Sequence, residues 1–114
     1  MSLYLTSVQE DDAVVVRVGG DLDVATAADL WSHLSALIED GDVRIVIDCE
    51  GVTFLDSSGI AVLVRCFRAV TPAGGWVRLR RVSPRVLEVL TITSLTTVFL
   101  DEDEARRCAA QGAS

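Results

Sequence analysis

The chain has 114 residues, of which 50% are hydrophobic, and this suits one globular domain that buries its own core without disulfide or metal staples. Its formal net charge is −7, so phosphate backbones and anionic lipids are poor partners, and we expect no nucleic-acid partner and no membrane insertion. All 10 cationic side chains are arginines, which excludes chemistry that needs a lysine, such as a P-loop or a Schiff base.

The 3 cysteines, Cys49, Cys66 and Cys108, stand at wide spacing. An odd number without a C-x-x-C pair predicts free thiols in a reducing compartment, and we expect no metal and no cofactor. Residues 1–6 lack the basic and apolar regions of a signal peptide, and the longest apolar run, residues 59–64, is too short to span a bilayer. We therefore expect a cytoplasmic protein.

The first half of the chain predicts a hairpin, a helix and a central strand. Near-alternating residues 3–8 and the β-branched run 13–18 predict two strands around a polar turn, and Gly19-Gly20-Asp21 predicts the end of the second. Asp23 precedes a helical pattern over residues 27–38, so its carboxylate is expected to cap open backbone N–H groups. Residues 43–48 predict a strand covered on both faces, followed by a connection over residues 49–56.

The second half predicts a helix from Ser57 or Ser58, a strand at residues 76–80 and a short helix that begins at Ser83-Pro84. Residues 97–100 predict a last strand, and Asp101 with Glu104 predicts a capping box that opens a final helix. The order indicates one α/β domain over residues 1–114. Its sheet is expected to be mixed and mostly parallel, with about five strands, an antiparallel edge hairpin and about four helices.

The most unusual local feature is Asp56-Ser57-Ser58-Gly59, which places two hydroxyls between a carboxylate and a glycine where a helix begins. Helix N-termini expose unpaired N–H groups and a partial positive charge, so they accept phosphate readily. The spacing alone leaves two interpretations open. Either the two serines cap the helix, or one of them is an acceptor for phosphate.

Three blocks of this sequence resemble the STAS family, specifically its anti-sigma factor antagonists. The blocks are Gly-Asp-Leu-Asp at residues 20–23, residues 46–48 followed by 52–60, and residues 90–95 before Val98-Phe99. The similarity extends from about Leu5 to Ala109. The first block commonly has glutamate where this chain has Asp21, which keeps the charge.

The resemblance implies a STAS-type fold and a partner switch. In the family, the unphosphorylated antagonist binds an anti-sigma factor with a histidine-kinase-like ATPase fold, and the sigma factor is released. That anti-sigma factor is also a serine kinase; its target, the second serine of the tetrapeptide, corresponds to Ser58, and a PP2C-type phosphatase reverses the reaction. Asp23 corresponds to an aspartate that lies near the phosphosite and contributes to the surface that contacts the partner. Asp56, Ser57 and Gly59 flank the target and are expected to contact the partner.

One face of the second predicted helix carries Val62, Cys66 and Ala69 beside the core stripe. This face is either buried under a neighbouring element or docks the kinase, and we expect Val62 to contribute to partner binding. The arginines at 78, 80 and 81 are expected to pair with the acidic surface or to meet an acidic partner.

Two other functions are weighed against the switch. A serine hydrolase would need a base near Ser58, but the single histidine, His33, lies on the polar face of the first predicted helix, and the sequence is not G-x-S-x-G. We therefore expect no enzyme. The remaining alternative is a structural STAS module of a lipid-transport or scaffold complex in which the serine is not a switch.

Overall fold

The structure, a computed structural model, describes residues 3–112, so the first two of residues 1–6, which were compared with a signal peptide, lie outside the described residues. Its strands are β1 (Leu3–Glu10), β2 (Ala13–Leu22), β3 (Arg44–Leu55) and β4 (Trp76–Arg80). Its helices are α1 (Ala27–Glu39), α2 (Ser57–Val70), α3 (Pro84–Ile92), α4 (Thr96–Phe99) and α5 (Glu102–Gly112), with a 3-10 turn at Thr71–Ala73.

The strands form one mixed sheet in the order β1-β2-β3-β4. β1 and β2 pair antiparallel as the predicted edge hairpin, and β3 is parallel to both β2 and β4. The predicted α/β fold class is therefore confirmed, with four strands where about five were expected. The parallel pairs follow from the helices between strands, since a chain must cross over to return in the same direction.

β2 and β3 are longer than predicted. Gly19-Gly20-Asp21 does not end β2, which continues to Leu22, and β3 continues through the predicted connection to Leu55. The parallel register shifts between Arg17 and Gly19 and again between Gly20 and Asp21. Gly20 takes a φ of 102°, which lets the strand absorb these irregularities instead of breaking.

One core joins the sheet to the helices. A single cluster of buried side chains contains residues from β2, β3 and β4 and from all five helices. The three cysteines belong to it and are free thiols, as predicted. Burial raises the pKa of Cys49 to about 12 and that of Cys66 to about 11, so both thiols stay protonated at neutral pH. Within residues 3–112, no helix is long and apolar enough to cross a membrane.

The predicted last strand at residues 97–100 is wrong, because this segment lies in and just after the short helix α4. The carbonyl of Leu95 accepts hydrogen bonds from the backbone N–H groups of Val98 and Phe99, both at 3.1 Å. Phe99 is fully buried and packs edge-on against Phe67, with ring centroids 6.2 Å apart. A single helical turn is enough to place this ring in the core. A run of four residues is too short to distinguish the hydrophobic periodicity of a strand from that of a helix.

The C-terminal helix α5 is fixed to the segment after β4 by hydrogen bonds from Glu104 and Arg107 to the backbone of Val82. The Asp101 carboxylate accepts from the Glu104 backbone N–H at 2.8 Å, which is half of the predicted capping box. The Glu104 side chain does not complete it. Its carboxylate accepts from the Val82 backbone N–H at 3.1 Å and from the Arg107 guanidinium, which also donates to the Val82 carbonyl at 2.7 Å.

Glu104 makes the stability of the domain depend on pH. Burial alone raises the pKa of Glu104, but the hydrogen bonds from Arg107 and Val82 outweigh it and lower the pKa below its ordinary value of 4.5. Because the pKa is lower in the folded state, this contribution is present above pH 4.5 and is lost as the pH falls through the folded-state pKa.

We predict that Glu104→Gln lowers the free energy of unfolding by about 1–3 kcal/mol at neutral pH, because a buried charged hydrogen bond is weakened. Chemical denaturation of the variant and the wild type from pH 7 to about pH 3 measures this difference, which should shrink as the pH falls. Asp103→Asn, which alters an exposed acid on the same helix, is the control. A difference that does not change with pH would contradict the assigned role.

Candidate functional site

The parallel pairing of β2 and β3 brings the two predicted site segments to one end of the sheet. Leu22 pairs with Leu55 at the last position of both strands, and the backbone N–H of Asp56 donates to the carbonyl of Leu22 at 3.1 Å. Both leucines are buried in the core. Asp23 and Asp56 therefore leave the same sheet end side by side, each at the start of a connection to a helix.

A hydrogen-bonded turn holds Asp23. Its Oδ1 accepts from the backbone N–H groups of Ala25 at 2.9 Å and Thr26 at 3.1 Å. Thr26, only 4% exposed, donates its hydroxyl to the carbonyl of Asp21 at 2.6 Å and accepts from the Asp23 N–H at 3.1 Å. The Asp23 carboxylate accepts from backbone N–H groups, as predicted, but these groups belong to the turn before α1 and not to the helix itself. Thr26 is the N-cap residue itself, and the spacing Asp-x-x-Thr is the signal that sequence reasoning missed.

A second link joins this turn to β3. The Thr53 hydroxyl donates to Oδ1 of Asp21 at 2.7 Å, and Asp21 pairs with Phe54 in the strand register. Asp21 is thus both a member of the first sequence block and a cross-strand tie. The Thr53 contact was not predictable from sequence patterns, because it joins residues 32 positions apart.

Asp56, and not either serine, caps helix α2. Its backbone is extended, and its Oδ1 accepts from the Ser58 N–H at 2.8 Å. Ser57 and Ser58 are the first two residues of the helix, with Ser57 exposed and Ser58 partly buried. In the described part of the chain, no hydrogen bond engages either hydroxyl, so both are available to a partner or a reagent.

Gly59 lets α2 begin close to the sheet. A Cβ atom at this position would lie 2.6 Å from Cδ1 of Leu55 and 3.0 Å from Cβ of Leu22. Both distances are shorter than side-chain contacts normally allow. Glycine therefore lets the first turn of α2 pack closely on the paired strand ends, because a larger side chain would have to displace Leu55 and Leu22, and this packing helps to set the position of Ser58.

The surroundings of Ser58 are acidic. Four carboxylates, at Asp21, Asp23, Asp29 and Asp56, lie in or beside the two connections, and none of them forms an ion pair with another described residue. Each contributes a full negative charge that solvent or a partner must balance.

Val62 lies in the core, contrary to the predicted partner contact. Its side chain is 7% exposed and belongs to the buried cluster, as does that of Cys66. Of the two interpretations of this helix face, burial is the one the structure shows for these residues. The exposed side of α2 instead carries Ala61, Arg65 and Ala69. A carboxylate at position 62 would therefore unfold the domain rather than test docking.

Arg80 and Arg81 pair with acidic side chains of this chain, which is one of the two roles predicted for the arginines near β4. Arg80 lies 3.5 Å from Glu10, and Arg81 lies 3.2 Å from Glu50 and 3.5 Å from Asp48. Arg78 instead stacks over the ring of Trp76, with its guanidinium carbon 4.6 Å from the ring centroid.

Within residues 3–112, no side chain that could act as a base is hydrogen-bonded to the Ser58 hydroxyl. His33 lies within α1, where its Nε2 is buried without a hydrogen-bond partner, so it is less solvated than predicted. No hydrogen bond links it to a serine of the described residues. Across residues 3–112, no group of three or more His, Cys, Asp or Glu side chains could hold a metal ion.

Comparison with known proteins identifies relatives over nearly the whole chain. A family model described as the STAS domain matches residues 4–105. The anti-sigma-B factor antagonist of Bacillus subtilis is 31% identical over 100 residues, which cover 87% of this chain and 90% of that protein. The protein of the same name from Staphylococcus aureus is 30% identical over 95 residues, covering 83% and 88%.

Solved structures agree in fold. An anti-sigma factor antagonist from Mycobacterium paratuberculosis superposes with a TM-score of 0.75 at 28% identity, covering 86% of this chain and 83% of that one. The Bacillus cell fate determinant SpoIIAA in its phosphorylated form superposes with a TM-score of 0.68 at 25% identity, covering 93% and 97%. The order of strands and helices, the sequence blocks and these matches agree: the chain belongs to the STAS domain family.

Proposed function

We propose that this protein is an anti-sigma factor antagonist whose binding is switched off by phosphorylation of Ser58. The observation that carries the proposal is the free hydroxyl of Ser58 at the N-terminus of α2, beside the turn that holds Asp23. The relatives named anti-sigma-B factor antagonist support it, because they match across most of both chains. The protein acts by binding, and not as an enzyme.

The fold tolerates a phosphate at this position. Ser58 is the second residue of a helix of 14 residues, where the helix dipole favours an anion by about 0.3–1 kcal/mol. The neighbouring carboxylates of Asp23 and Asp56 oppose this gain, but the site is at the surface and water screens them. Phosphorylation therefore leaves the domain folded and changes only the charge and shape of the surface at Ser58.

A phosphate on Ser58 strongly weakens binding of the partner. The partner in this proposal is an anti-sigma factor with a histidine-kinase-like ATPase fold, and a PP2C-type phosphatase removes the phosphate, both in the cytoplasm. A kinase must bring the γ-phosphate of its nucleotide in line with the acceptor hydroxyl. A phosphate on Ser58 then meets nucleotide phosphates of like charge, in an interface from which water is excluded, so the complex is destabilised by several kcal/mol.

The other residues around Ser58 have supporting roles. Asp23 and Ser57 flank the hydroxyl at the surface and contact the kinase directly. Asp56 sets the start of the helix through its bond to the Ser58 N–H. Gly59 is buried and acts by allowing close packing, so it positions the acceptor and does not contact the partner.

We predict that candidate anti-sigma kinases from the same organism incorporate phosphate at Ser58 with ATP, as located by mass spectrometry. Ser58→Ala should bind the kinase as tightly as the unphosphorylated wild type, and Ser58→Asp should bind at least about a hundredfold more weakly in a calorimetric titration. Ser57→Ala is the matched control and should still be phosphorylated. Equal affinities of the alanine and aspartate variants would refute the charge mechanism. Binding without label at Ser58 would favour a structural STAS module.

A second prediction separates the two roles of Asp56. Asp56→Ala should lower the free energy of unfolding by about 1 kcal/mol, because the N-cap is lost, whereas Asp56→Asn should keep the cap and most of the stability. Asp56→Asn also removes one charge beside the phosphate, so kinase binding to the phosphorylated variant should be less impaired than for the phosphorylated wild type. Thermal unfolding and titration measure the two effects. If both variants lost equal stability, Asp56 would not act as the N-cap.

A further inference from the structure

Two exposed apolar side chains flank the acidic site. Val24, in the turn after Asp23, is 81% exposed, and Phe54, two residues before Asp56, is 41% exposed. The other exposed large hydrophobic side chains of the described residues lie on β1, α3 and α4, and they are Tyr4, Val8, Ile92 and Val98. Aromatic side chains are enriched at the centre of protein interfaces, and an apolar side chain as exposed as Val24 adds buried apolar area when a partner covers it.

The strand ends fix the direction of Phe54. Leu55 points into the core, and side chains alternate along an extended chain, so its neighbours Phe54 and Asp56 both point away from the core. The same alternation on β2 directs Asp21 and Asp23 away from buried Leu22. The pairing of Asp21 with Phe54 places the aromatic ring within the acidic surface.

The turn fixes Val24 equally well. The Asp23 carboxylate accepts hydrogen bonds from Ala25 and Thr26, so the backbone on the C-terminal side of Val24 is held while its side chain projects into solvent. A side chain presented by a fixed turn loses little conformational entropy when a partner covers it.

We propose that Val24 and Phe54 are the apolar anchors by which the kinase partner binds this domain, seated in an apolar pocket of the kinase that is rimmed by arginine or lysine side chains. The inference rests on the proposed function. The basic rim follows from charge complementarity, because Asp21, Asp23 and Asp56 have no ion-pair partner among the described residues. The contribution of the two anchors to the affinity is the same before and after phosphorylation. The phosphate on Ser58 lowers the total affinity by repulsion.

The test is a calorimetric titration of the full chain with the anti-sigma kinase that binds the wild type. Val24→Ala and Phe54→Ala should each weaken binding of the unphosphorylated form at least about tenfold. The matched controls are Ile92→Ala and Tyr4→Ala, which truncate side chains that are 75% and 68% exposed on other elements; they should change the affinity less than about twofold. Raising the salt concentration should weaken wild-type binding, since the rim contacts are ionic.

Each outcome decides a separate claim. If the wild type binds and the two anchor variants bind equally well, the inference is overturned while the proposed function stands. If no such kinase binds the wild type, both fail together. Phe54 is partly packed, so its variant is also checked by thermal unfolding, and Val24→Ala decides the matter alone if the Phe54 variant unfolds. Weaker binding by the control variants to the same degree would likewise overturn the assignment of the anchors to this surface.

Discussion

The site depends on the register between β2 and β3. Their pairing continues past two shifts of register to Leu22 and Leu55. The hydrogen bond from the Asp56 N–H to the Leu22 carbonyl is the last one between the two segments. A slip of one residue would turn the leucine of the slipped strand out of the core, so burial specifies this register strongly. Because parallel strands end at the same edge, the register alone brings together two segments that are far apart in sequence. The close packing of Gly59 on the same leucines then sets where the first turn of α2 begins.

The groups that hold the site in shape differ from the group that is modified. The carboxylates of Asp23 and Asp56 satisfy backbone N–H groups, and buried Thr26 ties its turn to β2. The Ser58 hydroxyl contributes to none of these bonds among the described residues, so modifying it removes no support. A switch built in this way changes the charge of a preformed surface. It needs no rearrangement of the domain, and the energetic consequence falls on the complex with the partner.

Much of the fold was predictable because its elements are long and periodic. The hairpin, α1, α2 and α3 follow from the spacing of apolar residues and from turn residues, and the site tetrapeptide was found at a helix start. The failures share a physical cause, which is that tertiary contacts decided them. Gly20 was expected to end β2, but its positive φ lets the strand continue. Phe99 reaches Phe67 from a single helical turn, so no strand is needed there. The Glu104 carboxylate accepts from the Val82 N–H instead of from the backbone of its own N-cap residue. Val62 was misplaced because a wide apolar face on a helix does not reveal how much of it is covered.

The central claim is that phosphate on Ser58 changes the surface and leaves the fold intact. Two-dimensional amide NMR spectra of the unphosphorylated and phosphorylated protein test it most directly. We expect chemical-shift changes confined to the end of β2, the Asp23 turn, the end of β3 and the first turn of α2, with unchanged shifts for β1, for the turn of the hairpin and for α5. Shift changes spread across the sheet, or loss of the dispersed spectrum on phosphorylation, would contradict it.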